Sequence, residues 1–439
     1  MPDALIRTAA ASFLIAVAAA APALAQQAPA SCDIFCHSRL AESAEAAGDF
    51  ASYEAHVRAV AAVAPSHPGV VYAMARAFAR AGAPDSALAS LARLGRMGDA
   101  RDPDGDSAFR SLRGQPAYVD ARNRLLANRL PILDGKLAFE LADPDFLPEA
   151  LDYDAGRTRF IIGSLARRQL AAVAPDGEAR AFVAPAPGIL RVVGVHIDSA
   201  RGRLWFATWA PDSSHRGDSA NVPSLTRLLL ADLATGRVVR SWSPDGGRAG
   251  HLLNDFVVMR DGSLIITDTE QGTLYRLRSP SDTLEHFVQP DRARFSAANG
   301  ITAAPDGRTL YVAFLEGVAR VDVATHAIEL LPTPDSVSTA AVDGLYWHRG
   351  SLLAVQGAPT LERVVRYVLS ADGWRVVQGA VLERGLPVVH LPTTGTIVGS
   401  RFYYIANSQY DRLDDNLDRL QPRSGPALRT AVRVIDLRW

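Results

Sequence analysis

The stretch Gly300-Ile-Thr-Ala-Ala-Pro-Asp-Gly-Arg-Thr-Leu-Tyr-Val312 shows the pattern that decides the fold of this chain. An apolar segment runs into a Pro-Asp-Gly turn and a second apolar segment follows, which is typical of two antiparallel strands joined by a tight turn. The same strand–turn–strand unit recurs, with a weaker copy at the end, over residues 150–162, 195–206, 255–266, 344–355 and 395–405.

Most of these units are followed by a second pair of short apolar segments, so each unit contributes four strands over roughly 40–60 residues. Six such units predict a mainly β fold, a six-bladed β-propeller over residues 136–439. The segment 136–141 precedes the first unit, and we expect it to close the ring by pairing with residues 431–437. The pattern leaves room for a seventh blade.

The preceding part of the chain has a different period. Residues 38–130 carry small and apolar residues at three- and four-residue spacings, which predicts a small all-α domain. Ala75, Gly82, Ala87 and Leu91 stand where two closely packed helices need small or apolar residues, and in this the segment resembles a tetratricopeptide repeat. The resemblance implies a concave surface for a protein partner; a helical cap without a ligand is the alternative.

The composition and the first residues bear on partners and location. Of 439 residues, 48% are hydrophobic and 21% charged, as in globular proteins and unlike disordered ones. The formal net charge is −1, so no basic field would attract nucleic acid or an anionic membrane. Residues 1–25 contain Arg7, a short apolar run and a small-x-small site, which predicts a cleaved signal peptide and a secreted or periplasmic protein. An uncleaved anchor is the alternative, and no later apolar run is long enough for a transmembrane segment.

The chain has two cysteines, Cys32 and Cys36, close behind the predicted signal peptide. In an oxidising compartment we expect them to form a local disulfide, or else to stay free. The alternative is covalent attachment of a haem. The usual haem motif has two residues between its cysteines and this one has three, which argues against attachment.

Four oxygen-bearing side chains stand just before the innermost strands of different blades: Glu149, Asn254, Asn299 and Asp343. Innermost strands start at one mouth of the central channel, so we expect these side chains to converge although they are far apart in sequence. Two carboxylates and two amide oxygens suit a hard divalent cation, Ca²⁺ first and then Mg²⁺ or Mn²⁺. Water or a substrate oxygen would fill the remaining positions on the ion.

The segments around these residues, Pro148-Glu149-Ala, Leu253-Asn254-Asp255, Asn299-Gly300 and Val342-Asp343-Gly344, resemble the signature segments of the regucalcin/gluconolactonase-like propellers. The chain is also similar to paraoxonases and strictosidine-synthase-like propellers. The resemblance implies that Glu149, Asn299 and Asp343 are metal ligands and that Asn254 is a further polar group at the metal. It also implies that the ion polarises a lactone carbonyl for attack by water, with Asp343 as ligand and candidate base.

The second blade departs from this pattern, because Val192 and Val193 stand where gluconolactonases have polar substrate-binding residues. Other candidate acids or bases are His251, three residues before Asn254, and His390, just before the sixth inner strand. The sequence therefore favours a metal-dependent hydrolase of a small lactone or related ester. The alternative is a non-catalytic binding or scaffold protein in which a structural calcium stabilises the propeller.

Overall fold

The computed structural model describes residues 32–211, 224–244, 250–358, 360–413, 419–422 and 428–439. The predicted signal peptide, residues 1–25, lies outside the described residues. Within them, no helix is both long enough and apolar enough to cross a membrane. Cys32 and Cys36 are joined by a disulfide, as the sequence led us to expect.

Five helices form the first domain: α1 (Ile34–Ala46), α2 (Phe50–Val63), α3 (Pro68–Arg80), α4 (Pro84–Arg96) and α5 (Pro116–Ala127). They begin where the sequence provides start signals. The Asp33 side chain accepts a hydrogen bond from the backbone N–H of Cys36, which caps α1 and starts the helical domain earlier than the predicted residue 38. Proline occupies the first turn of α3, α4 and α5, where its missing N–H is no loss.

The core of this domain forms where the sequence predicts close packing. Ala75, Ala87 and Leu91 are fully buried in one cluster between α3, α4 and α5. Gly82, in the turn between α3 and α4, has a φ of +72°, a backbone conformation that glycine adopts without strain. The tetratricopeptide-like character of the domain stays a prediction.

The propeller has six blades, which confirms the predicted fold class. Two short strands, β1 (Ile132–Leu133) and β2 (Gly135–Glu140), precede the first blade. Blade 1 contains β3 (Pro148–Asp154), β4 (Arg159–Ser164), β5 (Gln169–Val173) and β6 (Ala179–Val183). Blade 2 contains β7 (Arg191–Asp198), β8 (Arg203–Pro211), β9 (Ser224–Asp232) and β10 (Val238–Trp242). Blade 3 contains β11 (Leu253–Val258), β12 (Leu264–Asp268), β13 (Thr273–Leu277) and β14 (Glu285–Val288).

Blades 4 and 5 contain β15 (Ile301–Ala303), β16 (Thr309–Phe314), β17 (Gly317–Asp322), β18 (Ile328–Leu330); β19 (Val342–His348), β20 (Ser351–Gln356), β21 (Arg363–Leu369) and β22 (Val376–Arg384). Blade 6 combines β23 (Gly395–Val398), β24 (Arg401–Ile405) and β25 (Ala431–Asp436) with β2 from the other end of the propeller. β2 and β25 are antiparallel, with Gly135 opposite Ile435 and Glu140 opposite Ala431. This pairing closes the ring as predicted, and β1 adds a fifth strand to blade 5 by pairing with β22.

A buried ion pair holds the closure in place. The Glu383 carboxylate, which is fully buried at the end of β22, accepts hydrogen bonds from Arg433 Nη2 at 2.7 Å and Nε at 3.0 Å. It also accepts one from the Tyr404 hydroxyl and one from the Gly135 N–H at 2.9 Å. One side chain thus connects blade 5, two strands of blade 6 and the closing strand.

Charged side chains in the central channel connect neighbouring blades. Asp152 of blade 1 accepts a hydrogen bond from the Ile197 N–H of blade 2 at 2.8 Å, and Asp255 of blade 3 accepts one from the Ile301 N–H of blade 4 at 3.2 Å. His196 lies between the two carboxylates, with Nε2 at 3.3 Å from Asp255 and Nδ1 at 3.7 Å from Asp152. Burial opposes protonation of His196, but the hydrogen bond to Asp255 and the two negative charges outweigh it and raise its pKa.

The helical domain packs against blades 4 and 5. Thr360, between β20 and β21, donates a 2.7 Å hydrogen bond to the fully buried Asp99, and Arg363 Nη1 donates to the Met97 carbonyl at 2.9 Å. Leu315, between β16 and β17, joins an apolar cluster with side chains of the first three helices. These are Ile34 of α1, Val60 of α2, Ala64 just after α2 and Val70 of α3. Ala297, just before blade 4, packs against the same cluster.

Replacing Glu383 with Gln tests the closure. The change leaves Arg433 buried without its countercharge, so we expect the free energy of unfolding to fall by about 3–5 kcal/mol. Tyr404→Phe removes one hydrogen bond to the same carboxylate and should cost about 1 kcal/mol. Urea unfolding followed by circular dichroism measures both. Equal stability of Glu383→Gln and a control in the exposed Glu178, Glu178→Gln, would show that closure does not depend on this ion pair.

Candidate metal centre

The backbone turns three of the predicted site residues toward the channel by the same device. The pairing of β3 with β4 slips between Pro148 and Ala150, so Glu149 is the extra residue of a β-bulge. Similar irregularities contain Asn254 at the start of β11 and Asp343 at the start of β19. A bulge re-aims a side chain relative to the regular alternation of the strand, and bulges are common beside functional sites.

A second backbone feature recurs two residues before each of several site positions. Leu147, Ala297, Ala341 and Leu391 have φ angles of 47°, 51°, 55° and 50°, in the left-handed region that non-glycine residues rarely adopt. They precede Glu149, Asn299, Asp343 and Thr393. Each such residue costs on the order of 1–3 kcal/mol and persists only where the surrounding structure imposes it. The starts of the inner strands are therefore held in a defined and strained conformation.

Neighbouring inner strands approach so closely that only glycine fits at two positions. A Cβ atom at Gly300 would lie 2.2 Å from the Asp343 carbonyl oxygen, and one at Gly194 would lie 2.1 Å from the Asn254 carbonyl oxygen. The first contact brings blades 4 and 5 together beside Asn299. The second brings blades 2 and 3 together beside Val193.

Hydrogen bonds orient both site amides in the same sense. Asn299 Nδ2 donates to Asp343 Oδ1 at 3.0 Å. Asn254 Nδ2 donates to Thr269 Oγ1 at 3.1 Å, and Thr269 in turn donates to the Ala298 carbonyl at 2.6 Å. Because the NH₂ groups of both amides donate hydrogen bonds to protein acceptors, the side-chain oxygens are the groups left for a ligand.

The two carboxylates of the site each keep one buried oxygen without a hydrogen-bond donor. Glu149 Oε2 and Asp343 Oδ2 are inaccessible to solvent and have no partner among the described residues. Burial, and next the charge of Asp343, raise the pKa of Glu149 well above its usual range. Burial raises the pKa of Asp343 to about 7, against the hydrogen bond from Asn299 and with help from the charge of Asp255. No positive charge among the described residues therefore neutralises this pair.

This arrangement fits a hard cation. It offers two negative charges and oxygen donors only, and the unpaired oxygens of Glu149 and Asp343 are the atoms that gain from an ion. The described residues contain no group of three or more His, Cys, Asp or Glu side chains that could hold a metal ion. An ion at this position would therefore depend on the amide oxygens of Asn254 and Asn299 as well.

Two further residues complete the set of positions around the channel mouth: Val193, which the sequence analysis had placed there, and Thr393, which it missed. Thr393 of blade 6 is fully buried, and its hydroxyl donates to the Glu149 carbonyl at 3.3 Å. Val193 of blade 2 is the extra residue of a bulge, as Glu149 is in blade 1. We call these six the ring positions: Glu149, Val193, Asn254, Asn299, Asp343 and Thr393.

His251 is paired with a buried carboxylate. Its Nδ1 lies 2.6 Å from Oδ2 of Asp268. The Asp268 side chain is fully buried, and its Oδ1 accepts a hydrogen bond from the Leu252 N–H at 3.0 Å. A fixed carboxylate on Nδ1 sets the tautomer and orientation of the ring and stabilises its protonated form. Thr269, next to Asp268, bonds Asn254, so the His251–Asp268 pair adjoins the ring positions.

His390 lies in a different environment. It is half exposed, with Nε2 at 3.2 Å from Asp411 and Nδ1 at 3.2 Å from Glu362. The hydrogen bonds to Asp411 and Glu362 raise its pKa to about 10, so it is a cation at neutral pH. A cationic imidazole can donate a proton but cannot accept one, which makes His390 unsuited to the role of general base.

The chain is similar to several solved structures at low sequence identity. The sequence matches no protein-family model and no curated protein. Among solved structures, a gluconolactonase from Xanthomonas campestris is 15% identical with a TM-score of 0.48, and the alignment covers 70% of this chain and 94% of that chain. The calcium-binding protein regucalcin from Agrobacterium tumefaciens is 17% identical with a TM-score of 0.46, covering 68% and 93%.

A third similar structure is the PQQ-bound aldose sugar dehydrogenase from Streptomyces coelicolor, which is 13% identical with a TM-score of 0.43, covering 70% of this chain and 99% of that chain. A lactonase, a calcium-binding protein and a dehydrogenase thus share the likeness. At these identities and TM-scores the likeness adds nothing to the topology described above. The function is therefore argued from the site itself.

The raised pKa values give the metal-free protein a distinctive pH dependence. The folded state holds protons on Glu149 and Asp343 that the unfolded chain has lost above about pH 4, so stability should fall as the pH rises from about 4 to about 7. Asp343→Asn removes one of the charges and should flatten this fall by a few kcal/mol. Thermal melting of chelator-treated wild type and variant across this range is the measurement. A wild-type curve that runs parallel to that of Asp343→Asn would contradict the burial of a coupled carboxyl pair.

Proposed function

We propose that this protein is a metal-dependent hydrolase of a lactone or related ester, with a divalent cation, Ca²⁺ in the first place, at the mouth of the propeller channel. The observation that carries the proposal is a pair of buried carboxylate oxygens, on Glu149 and Asp343, that have no hydrogen-bond partner among the described residues. Beside them, two amides donate their NH₂ groups to protein acceptors. Such a site is oxygen-rich, negative and assembled from four blades.

Glu149, Asn254, Asn299 and Asp343 would hold the ion. When bound, it would supply Lewis-acid polarisation of the substrate carbonyl and charge stabilisation worth several kcal/mol. The protein would hold these residues in place before a ligand binds. Bulges and strained backbone set the starts of the inner strands, and hydrogen bonds orient the two amides. Such preorganisation removes the need for the site to rearrange during the reaction.

The chain's own proton-transfer group is His251. In hydrolysis, water adds across the acyl C–O bond: its oxygen bonds to the carbonyl carbon, and one of its protons ends on the departing ring or alcohol oxygen. His251, oriented by Asp268, would take the proton from the attacking water and return one to the leaving oxygen. Asp343, which would also hold the ion, is the second candidate for the base.

The proposal places the reaction outside the cytoplasm. The predicted signal peptide over residues 1–25 and the Cys32–Cys36 disulfide both agree with an oxidising compartment. The helical domain packs on the propeller at blades 4 and 5, and a protein partner on its remaining surface is a separate expectation from the sequence.

Metal removal tests the proposal directly. Purified protein should contain about one Ca²⁺ equivalent, and treatment with a chelator should lower both its melting temperature and its hydrolysis of a panel of lactones and aryl esters, with Ca²⁺ restoring both. Asp343→Asn should reduce kcat/KM at least about 100-fold, because it removes a ligand charge. Asn254→Ala should reduce it less, because water can replace a neutral oxygen. Glu178→Gln is the control.

Two outcomes would contradict parts of this proposal. A protein that binds Ca²⁺ but hydrolyses no member of the panel would be the non-catalytic alternative, with the ion in a structural role. A melting temperature that ignores both chelator and Ca²⁺ would remove the metal centre itself.

His251 has its own test. His251→Gln should lower kcat by about 10²–10⁴-fold while the Ca²⁺ content stays unchanged, because general base catalysis contributes about this much. Asp268→Asn should lower kcat less and shift the acid limb of the pH–rate profile, since it disturbs only the orientation and charge of the imidazole. An unchanged kcat in His251→Gln would leave Asp343 as the base.

A further inference from the structure

A cleft opens where the helical domain meets blade 5. It has a volume of about 620 Å³ and lies between α5 and the end of β22, and we call it the interdomain cleft. Six residues line it: Asp120, Asn123, Arg124, Ala127, Asn128 and Arg384. β22 is the fourth strand of its blade counted from the channel, so the cleft is separate from the candidate metal centre, which lies at the inner strands.

Two arginines of blade 5 meet at this cleft. Arg384 and Arg363 stand directly opposite each other in the pairing of β22 with β21. Their guanidinium groups are neighbours, because a Cβ atom at Gly98 would lie 2.2 Å from Arg363 Nη1 and 3.7 Å from Arg384 Nη1. Like charges at opposite positions of a strand pair destabilise a sheet. The pair therefore costs stability unless a negative charge joins it.

Protein groups around Arg363 do not supply that charge. Its Nε donates to the neutral Gln356 side chain at 2.7 Å. The buried Asp99 carboxylate is already paired with Arg101, through hydrogen bonds of 2.8 and 2.9 Å. Burial lowers the pKa of Arg363, and the charge of Arg384 adds to this lowering.

Arg384 has unused hydrogen-bond donors at the cleft. Its Nη1 donates to Asn128 Oδ1 at 3.1 Å, whereas its buried Nε has no partner among the described residues. The Asn128 amide is fixed in this orientation, because its Nδ2 donates to the Gly95 and Asp99 carbonyls at 2.9 and 2.8 Å. Burial lowers the pKa of Arg384, so its charge is partly removed from water without a countercharge. An anion in the cleft would provide both the countercharge and the acceptor.

The helical side of the cleft adds a further cation. Arg124, in the last turn of α5, is exposed, and its aliphatic stem packs against α4, where a Cβ atom at Gly95 would lie 3.0 Å from Arg124 Cγ. The acid that lines the cleft is Asp120, which is exposed. Arg124, Arg384 and the adjoining Arg363 outnumber it, so the cleft has an excess of positive charge.

We propose that the interdomain cleft binds a small dianion, a phosphate monoester or a dicarboxylate, between Arg124 and Arg384. The planar fork of N–H groups on arginine matches the oxygens of phosphates and carboxylates, and these charge-assisted hydrogen bonds are stronger than neutral ones. Ala127 is the one apolar residue among the six that line the cleft, so the cleft recognises charge rather than apolar surface. The ligand would connect α5 with blade 5 and stabilise their packing. This binding is independent of the proposed function.

Titration of the purified protein with inorganic phosphate, succinate and acetate at constant ionic strength tests the proposal. We expect a dianion to raise the melting temperature and to bind at least about 10-fold more tightly than acetate in calorimetry, because it can engage both arginines. Binding of phosphate, of succinate or of both supports the cleft and identifies the class of ligand. No binding of either dianion up to about 10 mM, or equal binding of acetate, would overturn the proposal.

Variants locate the bound dianion. Arg124→Gln and Arg384→Gln should each weaken binding at least about 10-fold, because each removes a charged donor. Ala127→Glu keeps both arginines but adds an acid inside the cleft, and it should weaken binding as much. Arg110→Gln, in an exposed arginine of the same domain outside the cleft, is the matched control and should leave the affinity unchanged.

Folding of the variants is verified by their melting temperatures. Arg124 and Ala127 are exposed, so their variants keep the test valid even where Arg384→Gln fails to fold. If the control weakens binding as much as the cleft variants do, or if Arg124→Gln and Ala127→Glu leave it unchanged, the dianion binds elsewhere and the proposal is wrong.

Treatment with a chelator distinguishes the cleft from the candidate metal centre. Binding in the cleft should persist in the chelated protein, because none of the lining residues belongs to the ring positions. Binding that disappears with the metal would place the anion on the ion and overturn the proposal. The hydrolysis assays have no bearing on this result, so each proposal can fail without the other.

Discussion

The pairing of β2 with β25 is the constraint on which the other features of the propeller depend. Glu149 and Asp343 belong to blades 1 and 5, so they meet only when the ring is closed. Closure requires contacts between the two ends of a long chain, which is entropically costly, and the buried Glu383–Arg433 pair provides a contact that is specific to the closed form. Loss of closure would separate the site residues without changing any of them.

The site has energetically unfavourable features that persist because the closed ring imposes them. Two carboxylate oxygens are buried without a hydrogen-bond donor among the described residues, and residues such as Leu147 and Ala341 hold left-handed backbone conformations. A bound cation would stabilise the unpaired carboxylate oxygens, but it would not relieve the backbone strain. The strained backbone therefore sets where the site residues lie, whereas the charge of Glu149 and Asp343 determines which ligand can bind there.

The repeat unit around Gly300 predicted six blades, with room for a seventh, because a strand–turn–strand pattern is local. The convergence of Asn299 and Asp343 could also be predicted, since blade geometry places the starts of inner strands at one mouth. The bulges could not, because they depend on which strands pair and where the pairing slips. The same holds for the His251–Asp268 contact, which forms beside the pairing of β11 with β12, and for Thr393, which precedes the weakest copy of the repeat.

The helical domain contributes to the site through blade 4. Phe35 of α1 and the partly buried Ala297 pack against one apolar cluster, and Ala297 is two residues before Asn299. The Cys32–Cys36 disulfide and the Asp33 cap both act on the first turn of α1, so they fix the segment that bears on Ala297. Ala297 itself has the left-handed backbone conformation that precedes Asn299. The helical domain therefore packs against the segment that leads into the candidate metal centre, apart from any partner it binds.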